Sequence, residues 1–447
     1  MSVKGDRLER NLEEWLVFQA QVHPQPIDMG LERLSRVLTR LHWKQPKIPV
    51  ITVAGTNGKG SVVAYSASIL AAAGYRVGVF TSPHLCDYRE RIRLHDRLAS
   101  VDELVSTFEK IEAARACDSL TFFEYNSLAA LLLFEASNLD AWVLEVGMGG
   151  RLDAVNVVDP TVAVVVSIGF DHQEFLGTSL DAIAREKAGI FRARRPAVLG
   201  SANLPESIAT VALSVGAMLK RPGIEFAYSR QRGTWHYRGS RWNLPNLNPP
   251  ALLGDTQYDN AATAVAAVEE LLDLEISAQA VEQGLVSAQL VGRFQMIKPN
   301  LDSPTWILDV AHNPDAAKVL AHNLMEYKCA GKSYAICGIL TDKDAPGIVA
   351  ELYACIDAWW FCSTIGARSC TAAELRERVA RLLVTPVSVS DSVAAACAAV
   401  LEVATPQDRI LVFGSFHTVG PALDWLHAKG VITRTAVPEY TSRENSR

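Results

Sequence analysis

The residues best suited to chemistry begin with Gly55-Thr56-Asn57-Gly58-Lys59-Gly60-Ser61, a glycine-rich run between an apolar segment (49–54) and a helical pattern (61–73) stopped by Gly74. Such a turn aims backbone N–H groups at an anion. The following helix adds its positive end, and Lys59 and the Ser61 hydroxyl can reach phosphate and Mg²⁺. The run departs from the strict GxxxxGK[ST] phosphate loop, because Val53 stands at the first glycine position and Gly60 follows the lysine. Taken alone it reads as a holder of nucleotide phosphates; a tight strand-to-helix turn with a solvated lysine is the plainer alternative. Two more polar groups end apolar runs: Glu145 in 141–146, and His172 just after 162–168. Open α/β sheets bind ligands at the carboxyl ends of their strands, so both fall where a phosphoryl group would lie, although a lone histidine is more often structural.

These groups need a scaffold, and the hydrophobic pattern supplies one. Strand-like runs at 49–54, 75–81, 141–146 and 162–168 alternate with helical patterns such as 126–136. Continuous apolar strands between helices predict an α/β fold with a parallel sheet, here an N-terminal P-loop ATPase-type domain. The stretch 221–250 crowds aromatics, arginine, glycine and proline, which predicts short strands and turns at the edge of that domain; a helix follows over 260–274. The polar turn 298–304 marks a boundary, giving domains 1–296 and 297–447. Beyond it, apolar runs at 305–310, 333–339, 358–362 and 409–415 predict a smaller C-terminal Rossmann-like α/β domain.

Composition narrows the partners. The chain has 447 residues, 49% hydrophobic and 21% charged, enough for two domains with sizeable cores. A net charge of −6 with interspersed signs gives no footprint for nucleic acid or an anionic membrane, which leaves a small-molecule substrate and an expected monomer. Eight cysteines without a CxxC pair read as reduced thiols, mostly in the core. The charged, helix-like N-terminus lacks the apolar core of a secretion signal, and no later run reaches the ~18 apolar residues of a membrane span, so a cytoplasmic location is expected.

The motifs GTNGKGS (55–61), TSPHL (81–85), TFFEY (121–125), LEVGMGGRLDAVN (144–156), SIGFDHQEFLG (167–177), EKAGIF (186–191), GRFQ (292–295), DVAHNP (309–314) and GSFHTVG (414–420) follow in order along the chain. Together they closely resemble the folylpolyglutamate synthase family, within the Mur-ligase-like ATP-dependent amide ligases. The segment IDMGLERL (27–34) is similar to the pterin-side motif of the bacterial bifunctional members, which also carry dihydrofolate synthase activity.

The resemblance implies a reaction in which the acid takes the γ-phosphate of ATP to form an acyl phosphate. The amine of L-glutamate then attacks it, with dihydropteroate or a reduced folate as the acid. It also implies catalytic roles for Lys59, Glu145, His172 and Lys187. One Mg²⁺ is expected on Ser61, Ser82 and Glu145, a second on Glu145, His172 and Lys187, with a monovalent cation in addition. A plain ammonium repels Mg²⁺, so the second site implies a carbamylated Lys187. For ATP the resemblance brings Asn260, Arg293 and Asp309 beside the glycine-rich loop. Arg293 suits phosphate through its permanent charge and fork, and Asp309, ending a strand of the second domain, suits ribose hydroxyls. On the acid side it implies Asp28, Met29, Gly30, Leu31, Asp153 and Ala154. Phe123, beside Phe122 and Tyr125, offers a flat partner for a pterin or benzoyl ring, or else core packing. Asp28 could equally cap the following helix, and so could His312; Ser415 and His417 lie in a family signature that a glycine-permitted turn also explains.

Rival readings are a monofunctional folylpolyglutamate synthase, another Mur-type amino-acid ligase, a P-loop kinase and a nucleotide-binding regulator. FDHQEFLG, TFFEY and IDMGL favour the folate branch. Formation of an amide separates a ligase from a kinase.

Overall fold

The computed structural model of the chain describes residues 10–366, 368–383 and 385–432. Residues 1–9 of the N-terminal segment read above as helix-like lie outside that range; within it, Asn11 caps the helix Leu12–Gln21 with a reciprocal Glu14 bond.

The first sheet holds β1 (Val50–Ala54), β2 (Val77–Phe80), β3 (Ile92–Leu94), β4 (Arg97–Leu98), β5 (Ala141–Glu145), β6 (Val162–Val165), β7 (Pro196–Leu199) and β8 (Met218–Lys220). Their order is β4-β3-β2-β5-β1-β6-β7-β8, parallel from β2 to β8, with β3 and β4 antiparallel at one edge. Every residue of β1, β2, β5, β6 and β7 is buried, as expected of a parallel sheet covered by helices on both faces. The helix Lys59–Ala72 is apolar all round and buried from Gly60 to Leu70, because Thr256–Glu269 and Ala278–Ser287 pack over its outer side.

The stretch 221–250 forms a separate antiparallel sheet of β9 (Ala227–Gln231), β10 (Thr234–Arg238) and β11 (Asn243–Leu247). Buried Glu269 ties it down by accepting from the Tyr237 hydroxyl at 2.8 Å and from the Arg241 and Trp242 amides at 2.5 and 2.6 Å.

The third sheet contains β12 (Gln295–Ile297), β13 (Thr305–Asp309), β14 (Ser333–Cys337), β15 (Ala358–Cys362), β16 (Val387–Ser390) and β17 (Arg409–Phe413) in the order β12-β13-β17-β14-β15-β16. All pairs are parallel except β12 with β13. The polar turn 298–304 therefore joins two strands of this sheet and lies inside it. Of the eight cysteines, all free, Cys337, Cys362, Cys370 and Cys397 are buried, whereas Cys86 and Cys117 are exposed, so only half sit in the core. Among the described residues no helix is long and apolar enough to cross a membrane.

Candidate active site

The carboxyl ends of neighbouring strands gather the polar groups. β1 runs into the glycine-rich loop, β2 leads to Ser82, β5 ends at Glu145, and β6 leads to His172. They line one cavity of about 890 Å³, between the first sheet and the third, large enough for a nucleotide and a second substrate. Gly55 to Ser61, Ser82, Glu145, His172, Lys187, Asn260, Arg293 and Asp309 all line it.

Gly58 caps the helix Lys59–Ala72 at φ +85°, where a Cβ would stand 2.7 Å from Asn260 Oδ1 and 2.8 Å from Val166 Cγ1. Only glycine fits both the left-handed backbone and that space. Lys59 Nζ donates to the carbonyls of Gly55 and Thr56 at 3.2 and 3.3 Å, and Lys187 Nζ donates to the same Gly55 carbonyl at 3.0 Å from a site 132 residues away in sequence. Burial, reinforced by the charge of Lys59, pulls the Lys187 amine down to about 7, so much of it is neutral at physiological pH.

Glu145 is buried and has no ion pair among the described residues; its Oε2 accepts only the Ser82 amide, at 3.3 Å. Burial pushes its carboxyl up, against the opposing charges of Lys59, Arg293 and Arg91. Burial also pulls the His172 imidazole down to about 4, aided by Lys343 and Lys59 and opposed by Asp171, which leaves a neutral ring with a free lone pair. The donor set tests a divalent cation directly. A desolvated carboxylate lining the same cavity as Ser61 and Ser82 makes the donor set oxygen-rich, as Mg²⁺ prefers, and the neutral imidazole suits it. Lys187, donating to a carbonyl as an amine, fits only after conversion to a carbamate.

The third sheet contributes the other wall. Arg293 lies with its Nη2 3.7 Å from the position a Gly60 Cβ would take, over the Phe416 ring at 5.3 Å. Asp309, at the end of β13, accepts from the Phe294 and Ala311 amides at 2.8 Å each, and so holds the turn that carries Arg293. Asn57 and Asn313 exchange hydrogen bonds at 3.1 and 3.0 Å, tying the glycine-rich loop to the start of the helix Pro314–Glu326. Asp171 is clamped from the same side by Lys343 at 2.5 Å and His312 at 3.4 Å. Burial pushes Asp171 up, but His312, His172 and Lys343 outweigh it and hold it well below the usual carboxylate range. Asn313, not His312, caps the helix Pro314–Glu326, its Oδ1 accepting from the Ala316 amide at 2.9 Å. Ser415 Oγ donates to the Gly338 carbonyl at 3.1 Å, a structural bond, and exposed His417 lines the cavity.

The acid-side residues do not line this cavity; they stand behind its Gly147–Gly149 wall. A Cβ on Gly147 would sit 2.5 Å from the Phe123 ring, and Met29 Cε lies 3.6 Å from the corresponding point on Gly149. Asp153 is buried beneath the wall, accepting from the Met148 and Val155 amides at 2.9 and 3.1 Å, and burial pushes it up to about 7. Ala154 follows it in a buried turn. Asp28 caps no helix: Leu31 holds the cap position of Glu32–Arg40, and the Asp28 carboxylate engages Arg33 and His23. Gly30 and Leu31 lie between these anchors. Asp171, Asn313 and His84 belonged to motifs already singled out, whereas Lys343 and Arg91 sit among ordinary surface-like residues and gave no local signal.

Comparison with known proteins follows the same outline. The Mur ligase middle domain model matches residues 53–212, and the Mur ligase, glutamate ligase domain model matches residues 292–416. The dihydrofolate synthase/folylpolyglutamate synthase of Escherichia coli (strain K12) is 43% identical, over 94% of this chain and 96% of its own length. The structure of Escherichia coli FolC in complex with DHPP and ADP superposes with a TM-score of 0.89 at 43% identity, covering 94% of this chain and 99% of that one. The bifunctional folylpolyglutamate synthase/dihydrofolate synthase of Yersinia pestis complexed with AMPPNP and Mn ion gives 0.86 at 42% identity, covering 94% and 98%.

Proposed function

The chain belongs to the dihydrofolate synthase/folylpolyglutamate synthase family of Mur-type ligases, and from that premise we propose how its own residues divide the reaction. The enzyme is an ATP-dependent ligase that adds L-glutamate to dihydropteroate, forming dihydrofolate, and to reduced folates, forming folylpolyglutamates. ATP and a divalent cation serve it.

The phosphates of ATP lie on the amides of Gly55 to Ser61, where the helix Lys59–Ala72 begins. Lys59 leaves the loop carbonyls for the β- and γ-phosphates, and Arg293 approaches from the opposite wall, so charge is neutralised from both domains. Asp309 and Asn260 flank the nucleoside side. Ser61, Ser82, Glu145, His172 and a carbamylated Lys187 would hold Mg²⁺, which supplies charge neutralisation at the transferring phosphoryl group. A carboxylate oxygen of the acid forms a bond to the γ-phosphorus as the bond to ADP breaks. The glutamate amine, having lost its ammonium proton, adds to the acyl carbon; phosphate then leaves with the bonding pair as the nitrogen gives up a second proton to solvent, and the amide remains. Phe123, Asp153, Ala154 and the segment Asp28 to Leu31 shape the acid's seat through the Gly147–Gly149 wall.

The observation that carries this reading is Glu145: a buried carboxylate without an ion pair among the described residues, facing the charges of Lys59, Arg293 and Arg91 at the end of the strand next to the phosphate loop. Division near residue 296 belongs to the same proposal, with the hinge a few residues earlier because β12 already pairs with β13. A cytoplasmic location is part of it too. An acid labelled with ¹⁸O in its reacting carboxyl tests the chemistry: one label should appear in released phosphate, and unlabelled phosphate would rule out an acyl phosphate.

A further inference from the structure

Arg91 takes no part in the roles assigned so far, yet its setting is unusual for an arginine. It stands just before β3, fixed there by the Thr81 amide donating to its carbonyl at 3.0 Å, one residue from Ser82. Arg91 is only 7% exposed, and it lines the active-site cavity. Its guanidinium rests over the rings of Tyr88 and Phe122, at 5.8 and 5.4 Å from their centroids. Nε donates to His84 Nδ1 at 2.8 Å, which fixes the plane of the fork. Among the described residues it has no ion pair, and its two terminal nitrogens donate to no protein acceptor. The nearby Glu90 is committed elsewhere, accepting from the amides of Leu85, Cys86 and Asp87.

A desolvated guanidinium without a counter-charge is unfavourable unless something supplies one. Aromatic faces compensate in part. The rest of the arrangement, a fork held in one plane on a residue that lines the cavity, suits a carboxylate bound in bidentate fashion. Arg93, two residues on in β3, illustrates the contrast, since it lies on the sheet and does not line the cavity. The phosphate groups of ATP are served from the glycine loop and Arg293; Arg91 lies instead on the Ser82 side of Glu145, where the reacting carboxyl of the acid must come.

The two acids differ at that point. Dihydropteroate presents a single benzoate carboxyl, whereas a folate presents the γ-carboxyl of a glutamyl group with an α-carboxylate close beside it. We infer that Arg91 binds the α-carboxylate of the terminal glutamyl group of the folate, and so sets the balance between the enzyme's two acid substrates. The inference rests on the folate reading above.

The test compares kcat and KM for dihydropteroate and for a tetrahydrofolate monoglutamate in the full-length enzyme and in Arg91→Met and Arg91→Lys. Removing a charge-assisted pair should lower the folate-to-dihydropteroate ratio of kcat/KM on the order of 10- to 100-fold, mainly through the folate KM, with Lys recovering part of it. An unchanged ratio overturns the inference. A second arm needs no variant: a pteroyl 4-aminobutyrate of matching reduction state keeps the reacting carboxyl but lacks the α-carboxylate. The unaltered enzyme should use it worse than the folate by a similar factor, and Arg91→Met should erase the difference. Equal use of analogue and folate by the unaltered enzyme overturns the inference even if the variants do not fold. Turnover of neither acid by the unaltered enzyme removes the folate reading itself.

Discussion

Replacing Lys187 by methionine should make the protein more stable and inactive at once. The amine is buried and titrates near 7, against 10.5 for a free lysine. Folding therefore disfavours the protonated form. The cost is greatest below the folded value, declines as pH rises from 7, and vanishes above 10.5. At pH 7 the two values correspond to about 4 kcal/mol of lost stability, and at pH 9 to about 2 kcal/mol. Methionine has similar bulk and no charge. It gives up one hydrogen bond to the Gly55 carbonyl, worth about 1 kcal/mol, and that carbonyl keeps its bond from Lys59 at 3.2 Å. Lys187→Met should thus exceed the unaltered protein by about 3 kcal/mol at pH 7, with the gap closing by about 2 kcal/mol at pH 9. Urea unfolding in carbon dioxide-free buffer without nucleotide reads both values. Turnover should fall at least on the order of 100-fold, and added bicarbonate should raise the activity of the unaltered enzyme alone. A variant that is destabilised, or a gap that ignores pH, would refute the argument that Lys187 is held as a strained, partly neutral amine.

Other positions yield further expectations. Gly58→Ala should raise the KM for ATP at least on the order of tenfold, because the new methyl meets Asn260 and Val166 below 3 Å at a left-handed backbone position; nucleotide titration reads it, and unchanged affinity contradicts the loop assignment. Gly147→Ala should displace Phe123, whose ring stands 2.5 Å from the added carbon, and raise the KM for both pterin acids more than that for ATP. Equal effects on all three substrates would count against an acid seat behind that wall.

How much of this was legible beforehand depends on the range of the interaction. The strand, glycine loop and helix at 50–72 are local: a buried β-branched run, a glycine at φ +85° and an apolar helix each leave a trace in a few residues. The predicted strand at 162–168 ends early, at Val165, because Ser167 turns aside to bond Asn57. The turn 298–304 looked like a linker because turn residues read alike in hairpins and linkers; only the pairing of β12 with β13 separates the two. The charged segment 89–93 reads as solvated surface, yet Arg91 is buried through Tyr88, Phe122 and His84, contacts that no periodicity reveals. The approach of Lys187 to Gly55, and of Lys343 to Asp171 across 172 residues, likewise exists only in three dimensions. The family motifs carried those positions where chemical spacing could not.

The most direct test supplies purified enzyme with ATP, Mg²⁺ and L-glutamate, adds either dihydropteroate or a tetrahydrofolate, and follows ADP, phosphate and amide together. Sustained turnover with each acid, yielding the three products in equal amounts, is the predicted result. Phosphoryl groups left on the acid, ADP without amide, or turnover with only one of the two acids would contradict a bifunctional ligase.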